Sequence, residues 1–216
     1  MPWRSDVTGA ILAGGGSSRM GSDKALLPFL GKTVIRHIAD EMKNVFAEVI
    51  IISDRGNAYN FLGLPVFRDT WKNCGPLGGI HSALTNAATE TVFVTPCDMP
   101  FIDGNLIGQL LALHEEADIV VVSDGRIIHP LFGLFNRVCL PAISECLGGG
   151  RCSVKALLDL VRWKAIRVEG NLLFNLNTGE DYRTLIRAHI GHDHELANGT
   201  AEGCCDVPDY LIGRNG

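Results

Sequence analysis

Short runs of apolar residues alternate along the chain with segments in which apolar residues recur at helical spacing. The runs are typical of buried strands and cover residues 9–12, 49–52, 65–68, 91–95, 119–122, 127–128, 131–135 and 165–168. The helical spacing predicts amphipathic helices over about residues 33–46, 78–88, 104–116, 138–147, 153–162 and 180–190. Residues 49–52 are apolar at every position, which is typical of a strand in the middle of a parallel sheet.

The order of these elements predicts the fold class. Because strands alternate with helices, we expect right-handed crossovers onto a mostly parallel sheet. The prediction is an α/β protein with three layers, α/β/α, of the Rossmann-like kind. The runs at 127–128 and 131–135 have no helix between them and indicate a hairpin-like excursion. With no repeat and no linker, residues 1–190 form one predicted domain, and the polar residues 191–216 form a flexible C-terminal tail.

Composition and charge exclude several classes of protein. Hydrophobic residues make up 46% of the 216 residues, which is too apolar for a disordered chain. A net charge of −5 gives no general attraction for nucleic acid. No apolar stretch approaches the roughly 20 residues that span a bilayer, and no signal peptide is evident. The seven cysteines form no C-x-x-C pair, so we expect reduced thiols in a cytoplasmic protein that binds neither nucleic acid nor a membrane.

The loop after the first predicted strand carries most of the candidate chemistry. Gly14-Gly15-Gly16 lets the backbone approach a ligand closely, and successive N–H groups in such a turn form a concave anion site. Arg19 and Lys24 add positive charge that suits phosphate oxygens. The loop is not a Walker A motif, because Ser22 occupies the lysine position, and it lacks the third glycine of a dinucleotide motif. We interpret it as a phosphate-binding loop, with a flexible glycine turn as the alternative.

Two aspartates follow predicted strands. Asp69 comes after the third strand and Asp98 after the fourth, so both should lie at the same edge of the sheet as the first loop. Mg²⁺ usually enters a protein through one or two carboxylates together with substrate phosphates. Transfer of a nucleotidyl group requires that kind of charge neutralisation and alignment. Each aspartate could instead cap a turn or a helix.

The first loop and several later motifs together resemble a known family. Residues 12–24 are similar to the signature L-x-G-G-x-S-x-R-M-G-x-D-K of nucleotidyltransferases with the nucleotide-diphospho-sugar transferase fold, in particular the molybdenum cofactor guanylyltransferases. The later motifs occur in the family order over about residues 7–188. They are Gly75-Pro76-Leu77-Gly78-Gly79, Pro96-Cys97-Asp98-Met99-Pro100, Asp124-Gly125 with His129-Pro130, and Asn175-Leu176-Asn177-Thr178-Gly179-Glu180-Asp181.

The resemblance implies a specific reaction and a set of site residues. GMP would pass from GTP to molybdopterin, with release of pyrophosphate and formation of the molybdopterin guanine dinucleotide. The implied catalytic residues are Arg19, Lys24 and Asp98, and Asp98 would hold Mg²⁺. The implied GTP-binding residues are Leu12, Ala13, Gly14, Gly15, Lys24, Asp69, Gly78 and Asp98. The implied acceptor-binding residues are His129, Asn175 and Asn177. Implied partners are GTP, molybdopterin, and molybdoenzymes or other proteins of cofactor biosynthesis.

The chain departs from the family pattern at two positions. Ile52, followed by Ser53-Asp54-Arg55, occupies the place near the end of the second strand where the family often has an Asn, and Gly179 replaces a Pro. Two other functions stay open from the residues alone. One is a CTP-dependent nucleotidyltransferase that acts on molybdopterin or on a sugar or polyol phosphate. The other is a non-catalytic carrier that binds guanine nucleotide. His129, Asn175 and Asn177 could also have purely structural roles.

Overall fold

A central sheet of seven strands organises the molecule. The computed structural model describes residues 4–14, 23–168 and 173–193. Two short strands in this part of the chain form a separate hairpin, β2 with β3. In chain order the strands are β1 (Arg4–Leu12), β2 (Pro28–Phe29), β3 (Lys32–Thr33), β4 (Phe46–Ile52), β5 (Val66–Phe67), β6 (Thr91–Pro96), β7 (Ile119–Ser123), β8 (Ile128–Asn136) and β9 (Trp163–Arg167).

Helices connect the strands and cover both faces of the sheet. They are α1 (Val34–Val45), α2 (Gly75–Asn86), α3 (Gly104–Leu113), α4 (Leu140–Gly148), α5 (Val154–Leu158) and α6 (Gly179–Asp193). Short 3-10 helices cover Lys24–Leu26, Gly56–Leu62, His114–Glu116 and Arg137–Cys139. Within the described ranges, no helix combines the length and the apolar character needed to cross a membrane.

The strand order places the carboxyl ends of three parallel strands side by side. The order is β5-β4-β1-β6-β8-β7-β9, and β8 runs antiparallel to β6 and β7 while the other neighbouring pairs are parallel. Leu12, the last residue of β1, pairs with Ile52 at the end of β4 and with Pro96 at the end of β6. In open parallel sheets ligands bind outside such carboxyl ends. The predicted mostly parallel sheet is confirmed.

Two apolar clusters, one on each face of the sheet, make up the core. Successive residues of a strand point to opposite faces, so Ile11 belongs to the cluster under α1, α3 and α6, while Ala10 belongs to the cluster under α2, α4 and α5. Helix α1 shows how the sequence produces this packing. Its buried residues recur at helical spacing, and Thr33 caps its first turn by accepting a hydrogen bond from the Arg36 N–H. The predicted three-layer architecture is confirmed.

Several predicted boundaries were wrong, and β1 begins at Arg4 rather than at residue 9. The two strands expected at 127–128 and 131–135 are one strand, β8, because a register shift between Val121 and Val122 absorbs the extra residues. The helix expected over 153–162 ends at Leu158. Arg162 pairs instead with Asp118 through backbone and side-chain hydrogen bonds, which begins the pairing of β9 with β7. Helix α2 begins at Gly75 rather than at 78. Of the predicted tail, 191–216, residues 191–193 belong to α6, and the rest lies outside the described residues.

Candidate active site

A cleft of about 650 Å³ opens at the carboxyl ends of β4, β1 and β6. This volume lies in the range of pockets that hold small molecules. One wall comes from the segment after β4, and a second comes from the N-terminal end of α2. The loop after β6 and Leu131 of β8 close the remaining sides. The cleft therefore coincides with the edge at which the sequence places the first loop and the two aspartates.

The start of the first loop is fixed by hydrogen bonds to both neighbouring strands. The Ala13 N–H donates to the Ile52 carbonyl at 2.9 Å, and the Cys97 N–H donates to the Leu12 carbonyl at 3.1 Å. The buried Ser53 hydroxyl donates to the Ala13 carbonyl at 2.8 Å. Residues 15–22, which include the predicted site residues Gly15 and Arg19, lie outside the described part of the chain. Of the predicted backbone contacts, Leu12 and Gly14 line the cleft, whereas Ala13 is buried and is not a lining residue.

Lys24 and Asp98 come from two different segments of the chain, of which Asp98 lines the cleft. Asp23 accepts a hydrogen bond from the Ala25 N–H and thereby caps the 3-10 helix that begins at Lys24. Asp98 follows β6 directly and lines the cleft. Burial raises the pKa of Asp98, while the positive charge of Lys24 and the residue's own backbone N–H lower it. The predicted cation thus lies close enough to the predicted carboxylate to lower its pKa.

Asp69 lies against the opposite wall, which α2 forms. Its Oδ1 atom accepts hydrogen bonds from the Trp71 N–H at 2.9 Å and from the Ser82 hydroxyl at 3.3 Å. Burial is the largest cause that raises the pKa of Asp69, and the nearby charge of Asp54 adds to it. A ligand that donates hydrogen bonds to a half-buried carboxylate of this kind stabilises its charged form. Asp69 and Asp98 are therefore both at the cleft, at different walls.

The glycines of the Gly75-Pro76-Leu77-Gly78-Gly79 motif have separate roles. Gly75 has a φ of +57°, a backbone conformation that favours glycine, and Pro76 occupies the first turn of α2, where its missing N–H is not needed. Gly79 lines the cleft and packs against the side chain of Leu12. Gly78, predicted to bind GTP, lies behind Asp69: a Cβ atom there would stand 2.8 and 2.9 Å from the two carboxylate oxygens.

Replacing Gly78 with Ala should weaken nucleotide binding through Asp69. The added methyl group would push the carboxylate away from its Trp71 and Ser82 donors, and the Trp71 carbonyl oxygen at 3.0 Å limits the room for adjustment. On the predicted role of Asp69 in GTP binding, we expect a several-fold increase in the Kd for GTP, since small misplacements of a binding group are costly. Titration calorimetry of GTP binding measures the effect.

Gly108→Ala is the matched control for Gly78→Ala. Gly108 is also a helical glycine, but no atom lies within 4 Å of the position that its Cβ would take. This variant should bind GTP like the wild type and gain up to about 1 kcal/mol of stability from the helix propensity of Ala. Equal GTP affinity in both variants would remove the steric argument for Gly78.

His129 lies near the cleft without lining it. Its strand, β8, contributes Leu131 to the lining, whereas the His129 Nε2 atom lies 3.6 Å from an Asp124 carboxylate oxygen. The other Asp124 oxygen accepts the N–H groups of Arg126 and Ile127, and these bonds are the main cause that lowers the Asp124 pKa. The predicted role of His129 in binding the acceptor stays a prediction.

The segment with Asn175 and Asn177 is tied to the Asp98 loop. The Leu176 N–H donates to the Asp98 carbonyl at 2.8 Å, so this segment follows the wall next to the candidate metal residue. The Asn175 amide donates to the Leu173 carbonyl at 3.4 Å, and the Asn177 N–H donates to Asp181 at 3.0 Å. These bonds also stabilise the turn before α6. Neither asparagine is among the described residues that line the cleft, and their acceptor role stays a prediction.

Sequence reasoning missed a cluster formed by Asp23, Arg55 and Tyr59. Arg55 lines the cleft, and its Nη1 atom lies 2.7 Å from the Asp23 Oδ2 atom. The Tyr59 hydroxyl donates to the same oxygen at 2.7 Å. The only sequence signal for a site role of Arg55 was its position, because this cation comes three residues after the end of β4. The spacing between Asp23 and Tyr59 gives no hint of their contact.

Comparison with known proteins decides the family. The family model described as "MobA-like NTP transferase domain" matches residues 9–163. The chain belongs to the MobA-like NTP transferases. A curated relative from Yersinia pestis, named "Molybdenum cofactor guanylyltransferase", is 34% identical over 181 residues, which cover 82% of this chain and 93% of the relative. A relative from Pelotomaculum thermopropionicum, named "Probable molybdenum cofactor guanylyltransferase", is 40% identical over 193 residues, covering 85% and 92%.

Solved structures share the fold of this chain. Molybdopterin-guanine dinucleotide biosynthesis protein A from Archaeoglobus fulgidus superposes with a TM-score of 0.74 at 20% identity, over 85% of this chain and 99% of that one. The 4-diphosphocytidyl-2C-methyl-D-erythritol synthase of Anaerococcus prevotii gives a TM-score of 0.67 at 13% identity, over 87% and 96%. The predicted family, fold and enzyme class, a nucleotidyltransferase, are confirmed.

Proposed function

We propose that this MobA-like NTP transferase transfers GMP from GTP to molybdopterin. One observation carries the proposal: Asp98, whose pKa the charge of Lys24 lowers, lines a cleft that Asp69 and the glycine motif of α2 also line. A nucleoside triphosphate needs a charged end for its phosphates and a separate wall for its base. The names of the curated relatives support molybdopterin as the acceptor.

The proposed reaction is an in-line displacement at the α-phosphorus of GTP. An oxygen of the molybdopterin phosphate forms a bond to this phosphorus, the bond to the β-phosphate oxygen breaks, and pyrophosphate leaves. Lys24 stabilises the charge that develops on the departing pyrophosphate. In such reactions positioning and electrostatic stabilisation supply most of the catalysis. Arg19 and the amides of Gly14 and Gly15 are proposed to bind the phosphates as well.

Mg²⁺ is the proposed cofactor, held by Asp98. The residue fits this ion because its carboxylate is a hard oxygen donor, lies at the phosphate end of the cleft, and is disfavoured as an isolated charge by burial. When bound, the ion would neutralise part of the triphosphate charge. The chain itself supplies the fixed position of Asp98, which the hydrogen bond from Leu176 to its carbonyl oxygen maintains.

The wall of α2 is the proposed site for guanine. The guanine edge presents N1–H and N2–H donors, and the Oδ2 atom of Asp69 accepts no hydrogen bond from any described residue. A carboxylate can accept from both donors, which favours GTP over CTP at this wall. Gly79 and Leu12 leave the backbone accessible to the base. The acceptor would lie near Asn175, Asn177 and His129.

Replacing Asp69 with Asn should reduce selection for guanine. Asn has the shape of Asp but places an amide donor where the base needs an acceptor. We expect at least about a tenfold higher KM for GTP, and loss of most of the discrimination between GTP and inosine triphosphate, which lacks the 2-amino group. Steady-state kinetics with both nucleotides measure the ratio. Asp54→Asn is the control, because Asp54 also lines the cleft and should leave the ratio unchanged.

Product analysis tests the function itself. The protein is incubated with molybdopterin, Mg²⁺ and each of the four nucleoside triphosphates, and pyrophosphate release and product mass are recorded. The proposal expects pyrophosphate with GTP and a product heavier than molybdopterin by one GMP unit. Turnover with CTP alone would assign the chain to the cytidylyl alternative. Tight GTP binding without pyrophosphate release would support a carrier. Delivery of the product to molybdoenzymes and the cytoplasmic location stay predictions.

A further inference from the structure

Arg55 is a positively charged residue that lines the cleft. It lies in the segment after β4, next to the end of β1, and its side chain is 47% exposed. The backbone of Arg55 is fixed, because its N–H donates to the Ser53 hydroxyl at 3.1 Å. The same hydroxyl donates to the Ala13 carbonyl, at the start of the first loop. Ser53 therefore positions Arg55 beside the loop that leads to the phosphate end of the cleft.

The partner of Arg55, Asp23, is satisfied without it. The Asp23 side chain is only 12% exposed, and its two oxygens accept hydrogen bonds from the Ala25 N–H at 3.2 Å and the Tyr59 hydroxyl at 2.7 Å. Burial and the hydrogen bond to Asp23 raise the pKa of Tyr59, so this hydroxyl keeps its proton and remains a donor. If Arg55 leaves, Asp23 still has two donors. These two hydrogen bonds offset part of the cost of moving the guanidinium.

Phosphate is a better partner for Arg55 than Asp23 is. An ion pair with an exposed guanidinium contributes little stability in water. A guanidinium bound to phosphate oxygens forms two parallel charge-assisted hydrogen bonds, and phosphate carries more charge than one carboxylate. Asp23 precedes Lys24 directly, so the pair holds Arg55 next to the residue proposed to bind the phosphates.

We propose that Arg55 is a further nucleotide-binding residue, which pairs with Asp23 when no nucleotide is bound and moves onto the phosphate oxygens of the bound nucleotide. This inference rests on the proposed function, because it takes the nucleotide to lie in the same cleft. Tyr59 assists because its hydroxyl donates a hydrogen bond to Asp23 both with and without bound nucleotide. Tyr59 is thus a positioning residue, and Arg55 contacts the ligand.

Titration calorimetry with three probes tests the role of Arg55. The probes are GTP with Mg²⁺, tripolyphosphate with Mg²⁺, and guanosine. Arg55→Gln should bind GTP and tripolyphosphate about tenfold more weakly, as expected for one lost charge-assisted contact, and should bind guanosine like the wild type. Arg55→Lys should recover only part of the loss, because Lys keeps the charge without the planar fork. Tyr59→Phe should weaken GTP binding by less than Arg55→Gln, since Asp23 would then retain Arg55 more strongly.

Arg162→Gln is the matched control. Arg162 also forms an ion pair of 2.7 Å, with Asp118, but at the start of β9, away from the cleft. This variant should bind GTP normally. Wild-type protein that binds no GTP would contradict the proposed function itself. Wild-type binding of GTP with unchanged affinity in Arg55→Gln would overturn only the inference about Arg55. A rise in the KM for molybdopterin alone would also overturn it, because Arg55 would then serve the acceptor.

Discussion

Asp98→Asn is expected to lower the rate of GMP transfer by about 10²–10³-fold while the protein stays folded. The substitution keeps the shape of the side chain and removes its negative charge. Because Asp98 is the proposed Mg²⁺ ligand at the phosphate end of the cleft, the variant should lose turnover rather than affinity for the guanine base. Pyrophosphate release at saturating GTP and molybdopterin measures the rate, and thermal unfolding checks the fold.

Asp103→Asn is the control for the Asp98 substitution. Asp103 lies five positions further along the chain and caps α3, where its carboxylate accepts the N–H groups of Asn105 and Leu106. Asn is an equally good helix cap, so this variant should be fully active. Near-normal turnover of purified Asp98→Asn would show that Asp98 is another structural cap and would remove the proposed metal site.

Lys24→Ala should have an effect of similar size, about 10²–10³-fold on turnover. Lys24 is the proposed group that stabilises charge on the departing pyrophosphate. Its helix should persist, because the cap comes from Asp23 rather than from Lys24. Lys24 also lowers the pKa of Asp98, so its removal raises that pKa further. The reaction needs the charged form of Asp98. The increase of activity with pH should therefore occur at higher pH in this variant than in the wild type.

Lys32→Ala serves as the control for Lys24→Ala. Lys32 is close in sequence and carries the same charge, but it forms an ion pair of 2.6 Å with Asp40 away from the cleft. We expect unchanged turnover and an unchanged pH profile for this variant. If Lys24→Ala retained the wild-type rate and pH profile, the electrostatic link between Lys24 and Asp98 would have no catalytic meaning.

The sequence predicts the central strands of this fold well, for a physical reason. Strands buried on both faces must be apolar at successive positions, and Val49 to Ile52 in β4 meet that requirement directly. The end of α5 was not predictable in the same way. Residues near Arg162 have helical spacing, but a hydrogen-bonded partner far away in sequence, Asp118, places Arg162 at the start of β9. Tertiary contact outweighs local propensity there.

In the candidate site, too, features set by strand order were predictable from the sequence, and features set by contacts between distant segments were not. Strand ends predict that Asp98, Asp69 and the first loop share one edge, and the structure places the described members there. The sequence did not show why position 78 requires glycine, because the requirement comes from the Asp69 carboxylate, which approaches from a different element. The pairing of Asp23 with Arg55 likewise joins two loops that have no sequence pattern in common.

A crystal structure with GTP and Mg²⁺ tests the central claim most directly. We expect the triphosphate to lie between Lys24 and Asp98, guanine to face Asp69, and the Arg55 guanidinium to have left Asp23. Nucleotide bound at another surface, with the cleft beside β1, β4 and β6 free of it, would contradict the assignment of this cleft as the nucleotidyltransferase site.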